Sequence, residues 1–367
     1  MAHTSEYVSL GHPDKIADYI SEYILDQIIK QDQHARYALE IQIKDNHITY
    51  GGEITTTADL KPINHWIKQA VEHIGYTHKY ATCWDKGDTL DADDLDITGH
   101  ISVQSPDIAQ GVDKDAWGDQ GVFFGFCSEE TPDGDGIDHY LAKLLGQSLY
   151  YMAKEQPVIL FGLDIKTQIT VDCIKNGTAY ISEVVVAIPM KCSTFAGRHF
   201  IRKVVDDFIK QQNCRKAKGY TCIVNGTGAY KRHASMGDCG TTGRKLVVDF
   251  HGGRSRIGGG SPWTKDGSKA DLTLNLYANY LSRVYMERTR REFGGRLYYV
   301  ETELSCCIGK SHIRGTITGY DKNYNRLIIL TIEADPKPSA LIKHFQLDTP
   351  RFADLCEFGL FTPPQND

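Results

Sequence analysis

One pattern recurs in each third of the chain and limits the folds open to it: two alternating strands joined by a tight turn, near an amphipathic helix. Residues 37–57 read as two strands around the turn at Asp45-Asn46, ending at Gly51-Gly52. Residues 168–174 and 178–188 alternate around Asn176-Gly177, a dipeptide suited to the positive φ angles of a two-residue hairpin turn. Residues 312–319 and 326–333 repeat the pattern around Asp321–Asn325. Beside these hairpins, Ile63, Trp66, Ile67, Ala70, Val71 and Ile74 follow helical spacing, with Pro62 before them and Gly75 after. Helical stripes also mark 14–30 behind Pro13, 138–154, 198–211 and 270–290, and 338–346 reads as a short helix. Half-apolar strands and half-apolar helices must cover one another, so the chain is expected to build α+β modules. The repetition is one of pattern and not of sequence identity. The expected division is a module over 1–103, a lid loop over 104–120, a central module over 121–232 and a C-terminal module over 233–367.

Composition narrows the partners. A chain of 367 residues is long for one core. Its formal net charge of −6 argues against a general nucleic-acid binder, whose affinity comes from neutralising phosphates. No apolar run approaches the roughly 18 residues of a membrane span, and the first residues carry neither a basic nor an apolar leader region. The ten cysteines include no Cys-x-x-Cys pair and no zinc spacing. The expectation is a cytoplasmic protein that binds neither nucleic acid nor membrane.

Three distant stretches set fixed charges beside glycines. They are Gly-His-Pro-Asp-Lys at 11–15, Gly-Asp-Cys-Gly-Thr-Thr-Gly-Arg-Lys at 237–245, and Gly-Gly-Gly-Ser-Pro-Trp-Thr-Lys-Asp at 258–266. They supply His12, Lys15, Arg244, Lys245 and Lys265 for an anion, with Asp14, Asp238 and, just past the third stretch, Asp271 free to hold cations. Glycine turns that collect this mixture suit a polyphosphate with its metal ions. His12 and Asp14 stand where a helix begins, so free N–H groups and the helix dipole favour an anion there. The 237–245 stretch is not a Walker A loop, because Gly243 is followed by Arg244 and not by Lys-Ser or Lys-Thr. The pair Arg244-Lys245 instead offers a fork and a point charge to one phosphate chain, at the start of an expected strand over 246–250. The polar, glycine-rich run at 104–120 has the composition of a lid.

The motifs Gly-His-Pro-Asp-Lys, Gly-Gly-Glu-Ile-Thr-Thr, Gln-Ser-Pro-Asp-Ile-Ala-Gln-Gly-Val-Asp, Gly-Asp-Gln-Gly, Met-Gly-Asp-Cys-Gly and Thr-Gly-Arg-Lys occur in one order. That order resembles the S-adenosylmethionine synthetases from about residue 5 to 280, and weakly beyond. The resemblance implies three similar βαβ-containing modules around a pseudo-threefold axis, with active sites shared in a homodimer or a dimer of dimers. It implies that ATP and L-methionine react by sulfur attack on C5′, expelling triphosphate, which is then cleaved to pyrophosphate and phosphate. Two Mg²⁺ ions per site and a K⁺ are implied as cofactors.

Carried over by motif position, His12 contacts the triphosphate near the breaking bond, and Lys166, Arg244, Lys245 and Lys265 neutralise it. Asp14 and Asp271 each hold Mg²⁺, and Glu40 helps to hold K⁺. Asp164 and Tyr230 bind the nucleoside, Tyr230 stacking on adenine where the family usually has Phe; Ser261 joins the ATP-binding set. Glu53, Gln104 and Lys269 hold methionine, with Asp238 between the two substrates. The chain departs from the family at Leu10, Ala229 and Leu272, and in a lid several residues shorter between Asp113 and Gly118. Because the core charges are retained, activity is expected over a non-catalytic nucleotide-binding or regulatory relative. An ATP-dependent kinase or ligase of another family does not account for the motif order.

Overall fold

The computed structural model describes residues 2–103, 115–156, 158–289, 292 and 295–361. The strands are β1 (His3–Val8), β2 (Arg36–Lys44), β3 (His47–Thr55), β4 (Asp96–Ser102), β5 (Gly121–Ser128), β6 (Lys166–Lys175), β7 (Thr178–Ala187), β8 (Arg215–Val224), β9 (Gly240–Thr241), β10 (Tyr299–Cys306), β11 (Ile313–Tyr320) and β12 (Arg326–Ala334). The helices are α1 (Pro13–Ile29), α2 (Ile63–Ile74), α3 (His78–Ala81), α4 (Ile137–Glu155), α5 (Thr194–Gln211), α6 (Leu246–Asp249), α7 (Ala270–Thr289), α8 (Pro338–His344) and α9 (Phe352–Phe358).

The strands form three four-stranded sheets, ordered β1-β6-β7-β8, β4-β3-β2-β9 and β12-β11-β10-β5. Each contains one of the hairpins legible in the sequence, β6-β7, β2-β3 and β11-β12. At the β6-β7 turn, Asn176 and Gly177 adopt φ angles of 51° and 76°, as such a turn requires. One antiparallel edge strand of each sheet arrives from another part of the chain: β1 beside β6, β9 beside β2, and β5 beside β10. The sheets therefore interlock the thirds of the chain. On the far side, β4 and β8 run parallel to β3 and β7, each after a helix that makes the crossover possible. In the third sheet β12 follows a short turn and runs antiparallel to β11.

A long helix covers each sheet: α1 lies on β2 and β9, α4 on β1 and β6, and α7 on β5 and β10. Ile16, Ile20, Ile24 and Ile28 of α1 are fully buried, as are Leu39 and Ile43 of β2. Burial of each such side chain contributes about 1.5–3 kcal/mol, an upper figure because the unfolded chain is already partly compact. The opposite face of β2, carrying Glu40, Gln42 and Lys44, is exposed.

Two expectations need correction. Residues 246–250 are not a strand: Asp249 and Phe250 donate to the carbonyls of Lys245 and Leu246, making the single helical turn α6. The helix expected from 198 starts at Thr194, where the Ser193 side chain accepts from the Ala196 N–H as its N-cap. Among the described residues no helix is long and apolar enough to cross a membrane.

Candidate active site

The loop after β1 brings the chain to the start of α1. His12 is the N-cap, extended at φ −71° and ψ 140°, and Pro13 opens the helix. His12 Nδ1 accepts from the Asp14 N–H at 3.1 Å, so a neutral ring carries its proton on Nε2, as a donor. Burial holds this imidazole down at about 3, and the charges of Lys166, Lys245 and Lys15 push the same way against Asp238. His12 is therefore a neutral hydrogen-bond donor at physiological pH.

Asp14 is the hub beside it. Its Oδ1 accepts from the Thr241 N–H at 3.0 Å, and its Oδ2 accepts from Lys245 Nζ at 2.5 Å. The Arg244 guanidinium lies 3.6 Å from Asp14 Oδ1 and donates to the Cys239 carbonyl at 3.4 Å. These contacts exist because β9 pairs with β2 above α1, delivering the 240–245 turn onto the helix N-terminus. Lys166, first residue of β6 and paired with Val8 of β1, enters the same field.

The nucleoside candidates adjoin this group. Asp164 Oδ2 accepts from the Ala234 N–H at 3.0 Å, and the Tyr230 hydroxyl donates to the Asp164 carbonyl at 3.2 Å. Asp164 Oδ1 is buried with no hydrogen-bond partner, a spare acceptor. Burial pushes this carboxyl up to about 6, with Asp238 and Asp14 adding to the rise against the Ala234 N–H and Lys166. Asp238 is exposed and accepts from the Cys239 N–H at 2.8 Å.

A second group gathers along β2. The 264–266 segment runs on beside β2 where β9 ends, with Leu39 donating to the Thr264 carbonyl and Ala38 bridging to Lys265. Ala38 also pairs with Glu53 of β3, so the register sets Lys265 and Glu53 on the sheet face that carries Glu40. Lys265 Nζ donates to Asp271 Oδ2 at 2.5 Å. Gly260 admits Asp271: a Cβ there would stand 2.0 Å from its Oδ1. The Thr264 hydroxyl donates to Glu40 Oε1 at 3.1 Å, and the Thr242 hydroxyl donates to the other oxygen. Ser261 Oγ accepts from the Trp263 N–H at 3.1 Å, and Lys269 is half-buried near the start of α7.

The oxygen donors fit hard cations. Asp14 and Asp271 each offer one carboxylate, as suits a divalent ion that keeps its waters and shares phosphate oxygens. Glu40 with two threonine hydroxyls makes a larger all-oxygen set.

One sequence candidate moves and one lies outside the described residues. Lys15 is buried and bonded to Asp18 and Asp249, so it is not a free phosphate ligand. Gln104 and residues 104–114 of the lid expected over 104–120 lie outside the described residues. The structure adds Asp18 and Asp249, which no motif signalled, and gives roles to Thr242 and Thr264, which the motifs contain without one, because their partners come from distant segments.

Residues 1–106, 114–230 and 233–366 match, in turn, the N-terminal, central and C-terminal domains of S-adenosylmethionine synthetase. An S-adenosylmethionine synthase of Parafrankia sp. (strain EAN1pec) is 30% identical over 391 residues, covering 99% of this chain and 94% of its own. A solved structure described as an unusual S-adenosylmethionine synthetase from Campylobacter jejuni superposes with a TM-score of 0.84 at 28% identity, covering 98% of this chain and 94% of that one. These likenesses run the length of the molecule and enclose both charged groups: the chain belongs to the S-adenosylmethionine synthetase family, whose members are methionine adenosyltransferases.

Proposed function

We propose that this protein makes S-adenosylmethionine from ATP and L-methionine by displacing the whole triphosphate, and then hydrolyses that triphosphate. The observation that carries the reading is the meeting of His12, Lys166, Arg244 and Lys245 around Asp14 at the head of α1. Thioether sulfur is nucleophilic without deprotonation, so the protein's task lies at the leaving group. As the C5′–O bond breaks, negative charge grows on the triphosphate. Donors and cations already aimed there stabilise the transition state more than the ground state.

His12 Nε2–H donates to the phosphate oxygen nearest the breaking bond. Arg244 and Lys245 take the phosphate chain as Lys245 exchanges the Asp14 carboxylate for phosphate oxygen. Lys166 and Lys265 neutralise the remaining charge, and Ser261 lies along the same chain. Tyr230 stacks on adenine, and the spare Asp164 Oδ1 accepts from the ribose. Glu53, Gln104 and Lys269 hold the methionine ammonium and carboxylate, with Asp238 between the two substrates. Bound Mg²⁺ at Asp14 and Asp271, and K⁺ at Glu40, would offset phosphate charge and order the chain of oxygens.

The two groups of charges each gather around their own carboxylate in one protomer. A homodimer or dimer of dimers, with a second copy facing the β4-β3-β2-β9 sheet, would bring both onto one ligand. The cytoplasm, where both substrates are plentiful, is the proposed location.

The test is to incubate the protein with ATP, methionine, Mg²⁺ and K⁺ and follow all products. Sulfonium product with pyrophosphate and phosphate is expected. Nucleotide binding without turnover would contradict the reading and indicate a binding-only relative; ADP or AMP would indicate different chemistry.

A further inference from the structure

Behind the 240–245 turn lies a closed circuit of buried groups that the roles above do not use. Lys15 Nζ donates to Asp18 Oδ2 at 3.2 Å and to Asp249 Oδ1 at 2.8 Å. Asp249 Oδ2 accepts from Trp263 Nε1 at 2.7 Å, and the Lys15 ammonium stands 4.5 Å from the centre of the Trp263 ring. Asp18 turns its other oxygen toward the loop, where Oδ1 accepts from the Gly243 N–H at 2.8 Å. The Lys15 and Asp18 side chains are 4% and 0% exposed.

The members come from three places. Lys15 and Asp18 stand on α1 just past His12 and Asp14. Asp249 closes α6, four residues beyond Lys245, and Trp263 stands two residues before Lys265. One circuit thus ties together all three glycine-and-charge segments.

Stability alone is a poor reason for such a circuit. Removing a lysine and two carboxylates from water costs about as much as their attraction returns, so a buried ion pair is weak evidence of net stabilisation. The circuit does fix geometry. Gly243 adopts φ 73°, a left-handed conformation in which its N–H points back to α1, and a Cβ at Gly243 would press on Ser261 at 3.1 Å. Arg244 and Lys245 follow directly. A shift of the Gly243 amide therefore carries both cations with it, away from Asp14.

We propose that Asp18 is a positioning residue for triphosphate binding: held by Lys15, which Asp249 anchors in turn, it fixes Gly243 and thereby the Arg244-Lys245 pair. The inference rests on the reading that Arg244 and Lys245 grip the phosphates. Asp18 itself touches neither substrate.

The test compares Asp18→Ala with Asp18→Asn in the full enzyme, varying ATP and methionine separately and recording thermal stability. Since misplacement by about 1 Å can cost about 100-fold in rate, Asp18→Ala should lower kcat/KM for ATP by about 10- to 100-fold. The KM for methionine should stay within about twofold, because the circuit reaches only the phosphate side. Asp18→Asn keeps an oxygen for the Gly243 N–H and should recover most of the loss. A lower Tm with kcat/KM for ATP within about twofold would overturn the proposal, since it would leave Asp18 a purely structural role. If Asp18→Ala does not fold, Trp263→Phe decides: it removes the donor to Asp249 and keeps the ring above Lys15. A several-fold rise in the KM for ATP alone is expected there, and an unchanged value overturns the proposal. Lys245→Met, assayed in parallel, separates the two readings. A large loss in Lys245→Met with none in Asp18→Ala defeats this inference alone, whereas no loss in Lys245→Met defeats the phosphate assignment beneath it.

Discussion

Asp14 and Asp271 present the same pairing in two settings. Each accepts from a lysine at 2.5 Å, Lys245 in one case and Lys265 in the other. The Asp14 side chain is 2% exposed and also takes the Thr241 N–H, whereas Asp271 is 24% exposed and Lys265 21%. An ion pair open to water is worth little, so Lys265 leaves Asp271 for a phosphate at small cost. Asp14 sits in a drier, hydrogen-bonded frame where a misplaced or missing charge is expensive. Asp14 stays fixed by the Thr241 N–H as Lys245 turns to phosphate, whereas the open Asp271–Lys265 pair rearranges around the substrate.

That contrast ranks the expected losses. Lys245→Met should lower kcat by about 100- to 1,000-fold with the fold intact, the usual effect of deleting a donor aimed at developing charge. Steady-state turnover and circular dichroism check it together. Lys265→Met should cost less, about 10- to 100-fold in kcat, because its pair with Asp271 is already open to water. Equal losses in the two variants, or a larger loss at Lys265, would break the comparison.

Smaller effects probe its edges. Tyr230→Ala should weaken ATP binding by about 1–3 kcal/mol, the worth of one base-stacking contact, and leave methionine binding near its starting value. Calorimetry with each substrate reads this directly, and a shift in methionine affinity instead would remove Tyr230 from the adenine site.

The last effect concerns acid. His12 is held at about 3 by burial, against 6.5 in an unfolded chain. Below about pH 6.5 the unfolded state therefore takes up a proton that the folded state refuses, and His12 weakens the fold progressively as pH falls toward 3, by up to about 1.4 kcal/mol per pH unit. Above pH 6.5 the effect vanishes. His12→Asn keeps a favoured N-cap acceptor for the Asp14 N–H. Its urea stability relative to the unaltered protein should therefore improve on going from pH 7 to pH 5. A constant difference across that range would show that His12 is not held neutral.

The elements legible in the sequence were those with strong periodicity and clear ends. Helix α2 has all its apolar positions buried, and Gly75 closes it at φ 119°. The hairpins β2-β3, β6-β7 and β11-β12 likewise rest on turn chemistry, alternation and local pairing. Strands β4 and β8 were not legible. They lie at sheet edges, β4 has no fully buried residue, and β8 has one, at Val224, so neither shows a clean alternation. Leu246, Val247 and Val248 favour strand locally, but the Lys245 and Leu246 carbonyls are satisfied within a helical turn.

The site was legible in residue type and far less in pairing. Glycines beside charges marked His12, Asp14, Arg244, Lys245 and Lys265. Which carboxylate each cation meets is tertiary: Lys245 reaches Asp14 across 231 positions, and Lys15 reaches Asp249 across 234. Lys15 shows the limit plainly. Beside Asp14 in sequence it reads as another phosphate ligand, and only its burial against Asp18, Asp249 and Trp263 makes it part of the frame.

The most direct measurement is equilibrium binding of tripolyphosphate with Mg²⁺ to the unaltered enzyme and to Lys245→Met, at one fixed ionic strength. Convergence of the α1 N-terminus and the 240–245 turn on this anion predicts binding at least about tenfold weaker in the variant, a difference of about 1.4 kcal/mol. Equal affinity in the two proteins, with both folded, would contradict it.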